Sequence, residues 1–146
     1  MFIGSYTYSI DPKSRLSLPV ELRRYVKPEA NNTFVLTRGL KQCISVYPMD
    51  YWNELTQINF NKINPFDDEN MVFARIIAPN AYERVLDSQS RFIIPKNLKD
   101  FANIQNEVLI IGVLKNIELW NPEVYDEFYN QYKDKYGAIA KEVMKN

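Results

Sequence analysis

The stretch Tyr8-Ser-Ile-Asp-Pro-Lys-Ser-Arg-Leu-Ser-Leu-Pro19 occurs a second time, in altered form, as Arg84-Val-Leu-Asp-Ser-Gln-Ser-Arg-Phe-Ile-Ile-Pro95. Each copy contains Asp-x-x-Ser-Arg, then three mostly apolar residues, then a proline. The Asp, Arg and Pro positions of the two copies each differ by 76 residues. A constant offset of this kind indicates an internal repeat.

The repetition extends into the residues that follow each proline. Leu22 corresponds to Leu98 and Tyr25 to Phe101 at the same offset of 76. The spacing of three residues within each pair of apolar positions favours one turn of helix. Two strand-like segments follow in each copy at an offset of 73: 33–39 and 44–47 in the first, 106–112 and 117–120 in the second. The three lost residues fall in the connector 27–32, where a surface loop tolerates change.

Periodicity and turn-forming residues predict an α+β chain. Proline is favoured as the first helical residue, because its ring presets φ and its missing N–H would have no partner there. The acidic run 67–69 favours the start of a helix. Predicted strands cover 1–10, 15–18, 34–37, 44–47, 82–86, 91–94, 107–111 and 116–120. Predicted helices cover 19–26, 48–55, 68–78, 95–101 and a C-terminal segment capped by Asn121.

The length suggests that the two copies share one core. Each copy spans about 45 residues, a size that buries too little surface to be stable alone. We therefore expect one pseudo-symmetric domain over 1–146. Its parts are repeat one at 5–55, a connector and helix at 56–79, repeat two at 80–128 and a C-terminal helix at 121–146.

The composition argues against several classes of protein. There is no His, and the single Cys43 lies in an apolar run typical of a core residue. The chain has no glycine-rich phosphate loop and no Gly-x-Ser-x-Gly elbow. No leader-like segment follows Met1, and no apolar run reaches membrane-spanning length. We expect a cytoplasmic protein that is not an enzyme, with no cofactor, no metal, no membrane partner and no small-molecule ligand.

The charges are unevenly distributed along the chain. Eighteen basic and eighteen acidic residues give a net charge of zero. Residues 1–47 hold seven Lys or Arg against three acids, a net of +4, whereas residues 48–79 hold two against five, a net of −3. The basic first repeat can therefore present a cationic surface that attracts phosphates although the chain is neutral overall.

The repeated motif predicts a turn with a basic side chain beside it. Asp11 and its following proline end a strand, and the turn displays Lys13. Arg15 can fold back onto Asp11 as an ion pair that closes the hairpin, or reach outward to nucleic acid. Asp87 and Arg91 offer the same two alternatives. We favour DNA contact for Arg15 and leave Arg91 open between the two.

Three further arginines are weaker candidates. Arg23 and Arg24 lie on the helix after the first motif, where they can neutralise phosphates or form only a solvated face. Arg38 lies in a turn around Gly39 and can point either way. An arginine fork also matches the O6 and N7 acceptors of guanine in the major groove, which would add specificity to phosphate contacts.

The two Asp-x-x-x-Arg turns, each followed by a strand and Pro-x-x-Leu, resemble those of the MraZ family. Phe34-Val-Leu-Thr-Arg-Gly-Leu40 and Val46-Tyr-Pro48 extend the similarity, which covers roughly 1–120. The resemblance implies an AbrB-like fold, a pseudo-two-fold β-barrel in which two internal repeats exchange hairpins. Short helices and a C-terminal helix complete that fold.

The resemblance also implies a function. MraZ proteins are bacterial transcriptional regulators that bind repeated promoter sites of the division and cell-wall gene cluster as ring-like homo-oligomers. The implied partners are double-stranded DNA and further copies of the chain, and the implied location is the nucleoid. Asp11, Arg15, Asp87 and Arg91 occupy the family motif. The chain departs from the pattern where Gly is usual, at Ser14 and Ser90, and where Lys is common, at Ser88.

A protein-interaction scaffold is the competing class of function. The C-terminal segment carries an aromatic stripe, which is usually a docking face within the chain or against a neighbour. In this alternative the stripe binds another protein, and the arginines are structural. The stripe consists of Tyr125, Phe128, Tyr129, Tyr132 and Tyr136.

Overall fold

The computed structural model describes all of residues 1–146 and is a mixed α+β structure with antiparallel strands. Its strands are β1 (Ser5–Ser9), β2 (Arg15–Ser17), β3 (Thr33–Arg38), β4 (Ile44–Pro48), β5 (Tyr82–Val85), β6 (Arg91–Ile93), β7 (Glu107–Gly112) and β8 (Ile117–Trp120). Its α-helices are α1 (Val20–Arg23), α2 (Met49–Asn59), α3 (Asp68–Ile77), α4 (Lys96–Phe101), α5 (Pro122–Tyr132) and α6 (Tyr136–Val143). The predicted α+β class is confirmed, with shifted element ends.

Six strands form one antiparallel sheet in the order β1-β7-β8-β4-β3-β5. The order is symmetric, because β1, β7 and β8 are the counterparts of β5, β3 and β4. Each repeat gives its first strand to the other: β1 pairs with β7, and β5 pairs with β3. This sheet is open, with β1 and β5 at its edges, so its hydrogen bonds do not close the barrel that the resemblance implied.

The strands that follow the motif form a separate two-stranded ribbon, β2 with β6, which joins the two repeats. Its central pair is Leu16 with Phe92. Two further backbone hydrogen bonds extend the ribbon. The N–H of Leu18 donates to the Ser90 carbonyl, and the N–H of Ile94 donates to the Ser14 carbonyl. The ribbon therefore connects the Asp-x-x-Ser-Arg turn of each repeat to the ribbon strand of the other repeat.

One hydrophobic core receives side chains from the ribbon and from the six-stranded sheet. Leu16 and Phe92 are buried together with Leu36 of β3 and Ile110 of β7. The Phe92 ring meets Phe34 edge to face, with centroids 5.9 Å apart. Since each fully buried Leu or Phe side chain stabilises by about 1.5–3 kcal/mol, this shared core fixes the position of the ribbon.

The helix starts differ from the prediction at three prolines, since Pro48 is the extended cap of α2 rather than its first residue. Pro19 and Pro95 precede α1 and α4 as extended cap residues rather than as first helical residues. The carbonyl of Pro19 accepts the first helical hydrogen bonds, so the proline is the cap and the helix begins one residue later. Asn121 caps α5 with its side chain as predicted, and Asp67 accepts from the N–H of Asn70 at the start of α3.

The C-terminal segment, predicted as one helix over 121–146, consists of α5 and α6 with a 3₁₀ turn, Lys133–Lys135, between them. The aromatic stripe docks in part within the chain, because Tyr125 and Phe128 pack on Trp120 with centroids 5.3 and 5.4 Å from it. Tyr129 and Tyr136 remain exposed. None of the helices combines the length and the apolar content required to cross a lipid bilayer.

The buried position of Cys43 confirms that it is a core residue. Its side chain is fully buried and packs with Ile111 and Trp120. Burial, with the nearby Glu118 carboxylate, raises the pKa of the thiol to about 12. The thiol is therefore protonated at neutral pH, and the reactive thiolate is not available.

Candidate nucleic-acid interface

The first motif folds into a turn that is organised by the Asp11 carboxylate. One carboxylate oxygen accepts from the backbone N–H groups of Lys13 and Arg15, at 2.9 and 2.8 Å. The other accepts from the Nε of Arg15 at 2.6 Å. The ion pair, one of the two alternatives for Arg15, is therefore present, and it is made inside a hydrogen-bonded turn.

The second motif repeats this geometry. Asp87 accepts from the backbone N–H groups of Gln89 and Arg91, both at 2.9 Å, and from the Nε of Arg91 at 2.9 Å. We call the two segments the first turn (11–15) and the second turn (87–91). Their shared pattern follows from Asp, whose short side chain reaches backbone groups two residues ahead.

These bonds lower the pKa of both carboxyl groups. The backbone N–H of Arg15 is the largest influence that holds the pKa of Asp11 below its ordinary value. The backbone N–H of Arg91 does the same for the pKa of Asp87. Both carboxylates are thus ionised at neutral pH, as the ion pairs require.

Each turn contains a serine in the left-handed region, directly before its arginine. Ser14 has φ of 60° and Ser90 has φ of 59°. Glycine adopts this conformation without the steric penalty that a Cβ brings, which gives a physical reason for the Gly that the family pattern places there. In this chain both turns accept the strain of a larger residue.

The ribbon places both motif arginines on its outer face. Arg15 pairs with Ile93, and Arg91 pairs with Ser17. Side chains at paired positions share a face, so all four lie opposite the buried central pair. The two arginines are diagonal neighbours, a relation that puts Cα atoms about 7–8 Å apart. The first and second turns thus frame one short surface with an arginine toward each end.

The other predicted side chains have different environments. Lys13 and Arg24 are exposed and form no side-chain hydrogen bond. Arg23 donates from Nε to the Leu18 carbonyl at 2.9 Å. Because Leu18 also bonds to Ser90, Arg23 is linked to the second turn, whereas its place in the sequence had associated it with the first.

Arg38 ends β3 and stacks on an aromatic ring of the other repeat. Its guanidinium carbon lies 4.0 Å from the ring centroid of Phe101. Cation–π contacts of this kind are worth about 0.5–2 kcal/mol. Arg38 therefore has a structural partner outside the ribbon, and the turn at Gly39 does not bring it to either motif.

Two basic residues near the turns were missed from the sequence. Lys99 of α4 donates from Nζ to Ser14 Oγ at 2.9 Å and so belongs to the first turn. Arg84 of β5 donates from Nε to the Ile93 carbonyl at 3.0 Å and lies beside the ribbon. Lys99 could have been identified from the sequence, because the repeat offset of 76 makes Lys99 the counterpart of Arg23.

The arginines retain capacity to bind a further anion. Each ion pair uses only Nε, and no terminal guanidinium nitrogen of Arg15 or Arg91 has a hydrogen bond. Both side chains are partly exposed, at 32% for Arg15 and 24% for Arg91. A planar guanidinium with two free donor nitrogens can bind a phosphate or the acceptor edge of a base in a bidentate manner.

A family model and individual relatives of known name all indicate the same protein family. The family model described as "MraZ protein, putative antitoxin-like" matches residues 1–75 and 77–144. A protein of Natranaerobius thermophilus named Transcriptional regulator MraZ is 35% identical over 144 residues, which cover 99% of this chain and 97% of that protein. Proteins of the same name from Clostridium beijerinckii and Alkaliphilus metalliredigens are 36% and 37% identical over 98% and 96% of this chain, and over 96% and 94% of their own lengths. The chain therefore belongs to the MraZ family, and the resemblance that its two Asp-x-x-x-Arg motifs indicated is confirmed.

Proposed function

We propose that this chain is a sequence-specific transcriptional regulator that binds double-stranded DNA through the ribbon and its two turns. The observation that carries the proposal is the pair of outward-facing arginines, Arg15 and Arg91, each oriented by an aspartate. A two-stranded ribbon has the width that the major groove admits. The name of the relatives, Transcriptional regulator MraZ, supports the same function.

In this proposal the aspartates prepare the arginines for binding. Asp11 and Asp87 form the turns and hold each Nε, so the guanidinium loses less conformational freedom when DNA arrives. The terminal nitrogens of Arg15 then bind guanine O6 and N7 or a phosphate. Lys13, exposed in the first turn, binds phosphate and gives that turn the stronger contact.

The remaining predicted DNA-binding residues have supporting roles. Arg23 and Arg24 contribute positive charge beside the ribbon and contact phosphates at its second-turn end. Arg38 makes the weakest contribution, because its stacking on Phe101 competes with DNA. Phosphate contacts of this type set the register of the protein on the duplex, while base contacts select the sequence.

The proposed assembly is a ring-like homo-oligomer that binds repeated promoter sites of the division and cell-wall gene cluster. One chain offers few contacts, whereas adjacent copies on adjacent sites gain affinity through effective concentration. An apolar groove of about 540 Å³ beside α5 and α6, which includes Tyr129, Tyr136 and Ile139, supports a contact between chains. Such a regulator acts in the cytoplasm, in association with the nucleoid.

The proposed architecture is a swapped-hairpin barrel. The N–H of Asp11 donates to the Arg15 carbonyl, and the N–H of Asp87 donates to that of Arg91, so each motif joins an edge strand of the open sheet to the ribbon. The buried faces of sheet and ribbon contribute to one core. In the proposed barrel the ribbon lies across the gap between the two sheet edges, as part of an exchanged pair of hairpins.

The test is a fluorescence-anisotropy titration against a duplex from the region upstream of the gene and against a scrambled duplex, at several salt concentrations. We expect a salt-dependent preference for the upstream duplex. Arg15→Ala should retain the far-UV circular dichroism of the wild type and lose most of that preference. Equal binding to both duplexes, or none, would overturn the proposal.

The scaffold alternative has one observation in its favour. Both Asp–Arg ion pairs are formed, as expected if the arginines only close the turns. In that case Arg15→Ala should lower the free energy of unfolding or disturb assembly, and the wild type should give no DNA signal to lose. Size-exclusion chromatography with light scattering, run beside the titration, distinguishes the two functions.

A further inference from the structure

The first turn contains a contact between the two repeats that the second turn lacks. Lys99, on helix α4 of repeat two, donates from Nζ to Ser14 Oγ at 2.9 Å across 85 residues of sequence. The bond from Ile94 N–H to the Ser14 carbonyl brings the start of that helix to the turn. Lys99 is half-buried, so its position is defined by packing as well as by this bond.

The equivalent residues of the other turn are arranged differently. Ser90 has the same left-handed conformation as Ser14, but its hydroxyl has no hydrogen-bond partner. Arg23, the counterpart of Lys99, donates to the Leu18 carbonyl instead. A strained backbone conformation that retains a side chain is a reason to look for what the side chain does. At the first turn the serine hydroxyl holds an ammonium group.

We propose that Lys99 contacts a DNA phosphate as part of the first turn, where Ser14 positions it; this inference rests on the DNA binding proposed above. An ammonium group has three donors, and Ser14 accepts one of them, which leaves two for a phosphate. Lys13 and Arg15 lie in the same turn. Three cations from two repeats thus converge on one turn, and a phosphate there meets a composite site.

The contribution of Lys99 is measured by the salt dependence of binding. Lys99→Gln and the control Lys96→Gln are titrated with the upstream duplex at several salt concentrations. Lys96 lies on the same helix, is 89% exposed and pairs with Asp100, so it matches Lys99 in chemistry and differs in placement. We expect Lys99→Gln to flatten the slope of log Kobs against log salt by about 0.9, the value for one phosphate contact. Lys96→Gln should keep the wild-type slope, and Lys99→Arg should restore it.

The outcomes separate this inference from the function on which it rests. If the wild type prefers the upstream duplex and Lys99→Gln keeps the full slope, the inference is wrong and the regulator function stands. If the wild type itself shows no salt-dependent binding, the proposed function fails and this inference fails with it.

A measurement on the wild type avoids any folding defect of the variant. Lysine acetylation by an amine-reactive reagent is followed by mass spectrometry with and without the upstream duplex. We expect the duplex to slow acetylation of Lys99 several-fold relative to Lys96. Equal rates at Lys99 with and without DNA would contradict the proposed contact.

The positioning role of Ser14 is tested through its dependence on Lys99. Ser14→Gly should lower affinity several-fold in the wild-type background, because the ammonium loses its partner. The same change should have no further effect in a Lys99→Gln background. A serine that served only the shape of the turn would lower affinity equally in both backgrounds, which would exclude the positioning role.

Discussion

The two turns of this protein have the same shape and different surroundings. In each, an Asp carboxylate accepts two backbone N–H groups and one arginine Nε, with corresponding distances of 2.6 to 2.9 Å. The first turn adds Lys13 and the contact from Lys99, where the second has Gln89 and no such contact. The Asp-x-x-x-Arg motif therefore specifies the turn, and residues outside the motif specify its charge.

The largest effect is expected where the two repeats are most alike, in the buried centre of the ribbon. Phe92→Ala should lower the free energy of unfolding by about 3–5 kcal/mol and Leu16→Ala by about 2–5 kcal/mol, because each leaves a cavity in the shared core. Ile93→Ala, at a half-exposed neighbour, is the control and should change it by about 0.5 kcal/mol or less. Urea denaturation followed by circular dichroism measures all three. A loss below about 1 kcal/mol at both core positions would contradict a ribbon packed on the core.

The second-largest effect is expected in the affinity for DNA, which should fall by different amounts when the arginine of each turn is replaced. Arg15→Ala should weaken binding to the upstream duplex by about 1–3 kcal/mol, the range for one specific arginine contact. Arg91→Ala should cost less, because the second turn has Gln89 at the position that Lys13 occupies in the first. Anisotropy titrations of both variants at one salt concentration give the comparison. Equal losses would mean that the additional charge of the first turn has no consequence for binding.

The third prediction concerns pH and applies to both turns. Because the folded pKa values of Asp11 and Asp87 lie below the ordinary value near 3.8, their contribution to stability is present above that value. It is lost as pH falls through the lower, folded pKa values. An Asp11→Asn/Asp87→Asn variant keeps one oxygen acceptor in each turn for the backbone N–H groups and loses the charge and the oxygen that accepts from the arginine Nε. It should melt at a lower temperature than wild type at pH 7, and the difference should shrink as pH falls below about 4. A difference independent of pH would show that the ionised form does not matter.

The smallest effect tests the two strained serines. Ser90→Gly should raise the free energy of unfolding by up to about 1 kcal/mol, because removing the Cβ relieves a left-handed penalty of about 1–2 kcal/mol while glycine gains unfolded-state entropy. Ser14→Gly should gain less or lower the free energy of unfolding, since it also removes the bond from the Lys99 ammonium, and bonds to charged groups are worth about 1.5–3 kcal/mol. Thermal melts of the two variants provide the measurement. A larger gain at Ser14 than at Ser90 would argue against a stabilising Lys99 contact.

Local structure could be predicted from the sequence where one short segment contains its own determinants. The Asp11 turn, the Asn121 cap and the strand at 107–112 depend on side chains acting over a few residues. The starts of α1, α2 and α4 were misplaced by one residue, because a proline suits both the cap and the first helical position. The break at Lys133–Lys135 carries no proline or other evident signal.

The composition of the site depends on contacts that a local pattern does not encode. Lys99 reaches the first turn, and Leu18, whose carbonyl accepts from Arg23, bonds to the second, only because the repeats exchange strands. Arg38 stacks on Phe101 for the same reason, since the two residues come from different repeats. Arg15 and Arg23, which are close in the sequence, therefore belong to different turns.

The exchange of β1 onto β7 also has a consequence for biosynthesis. Tyr6 pairs with Ile110, so the first strand leaves the ribosome long before its partner is made. At translation rates of about 5–20 residues per second, β1 waits for roughly 5–20 seconds with its backbone groups unpaired. An unpaired strand of this kind is open to pairing with strands other than its own partner. The six-stranded sheet can thus be completed only after β7 and β8, near the end of the chain, have been synthesised.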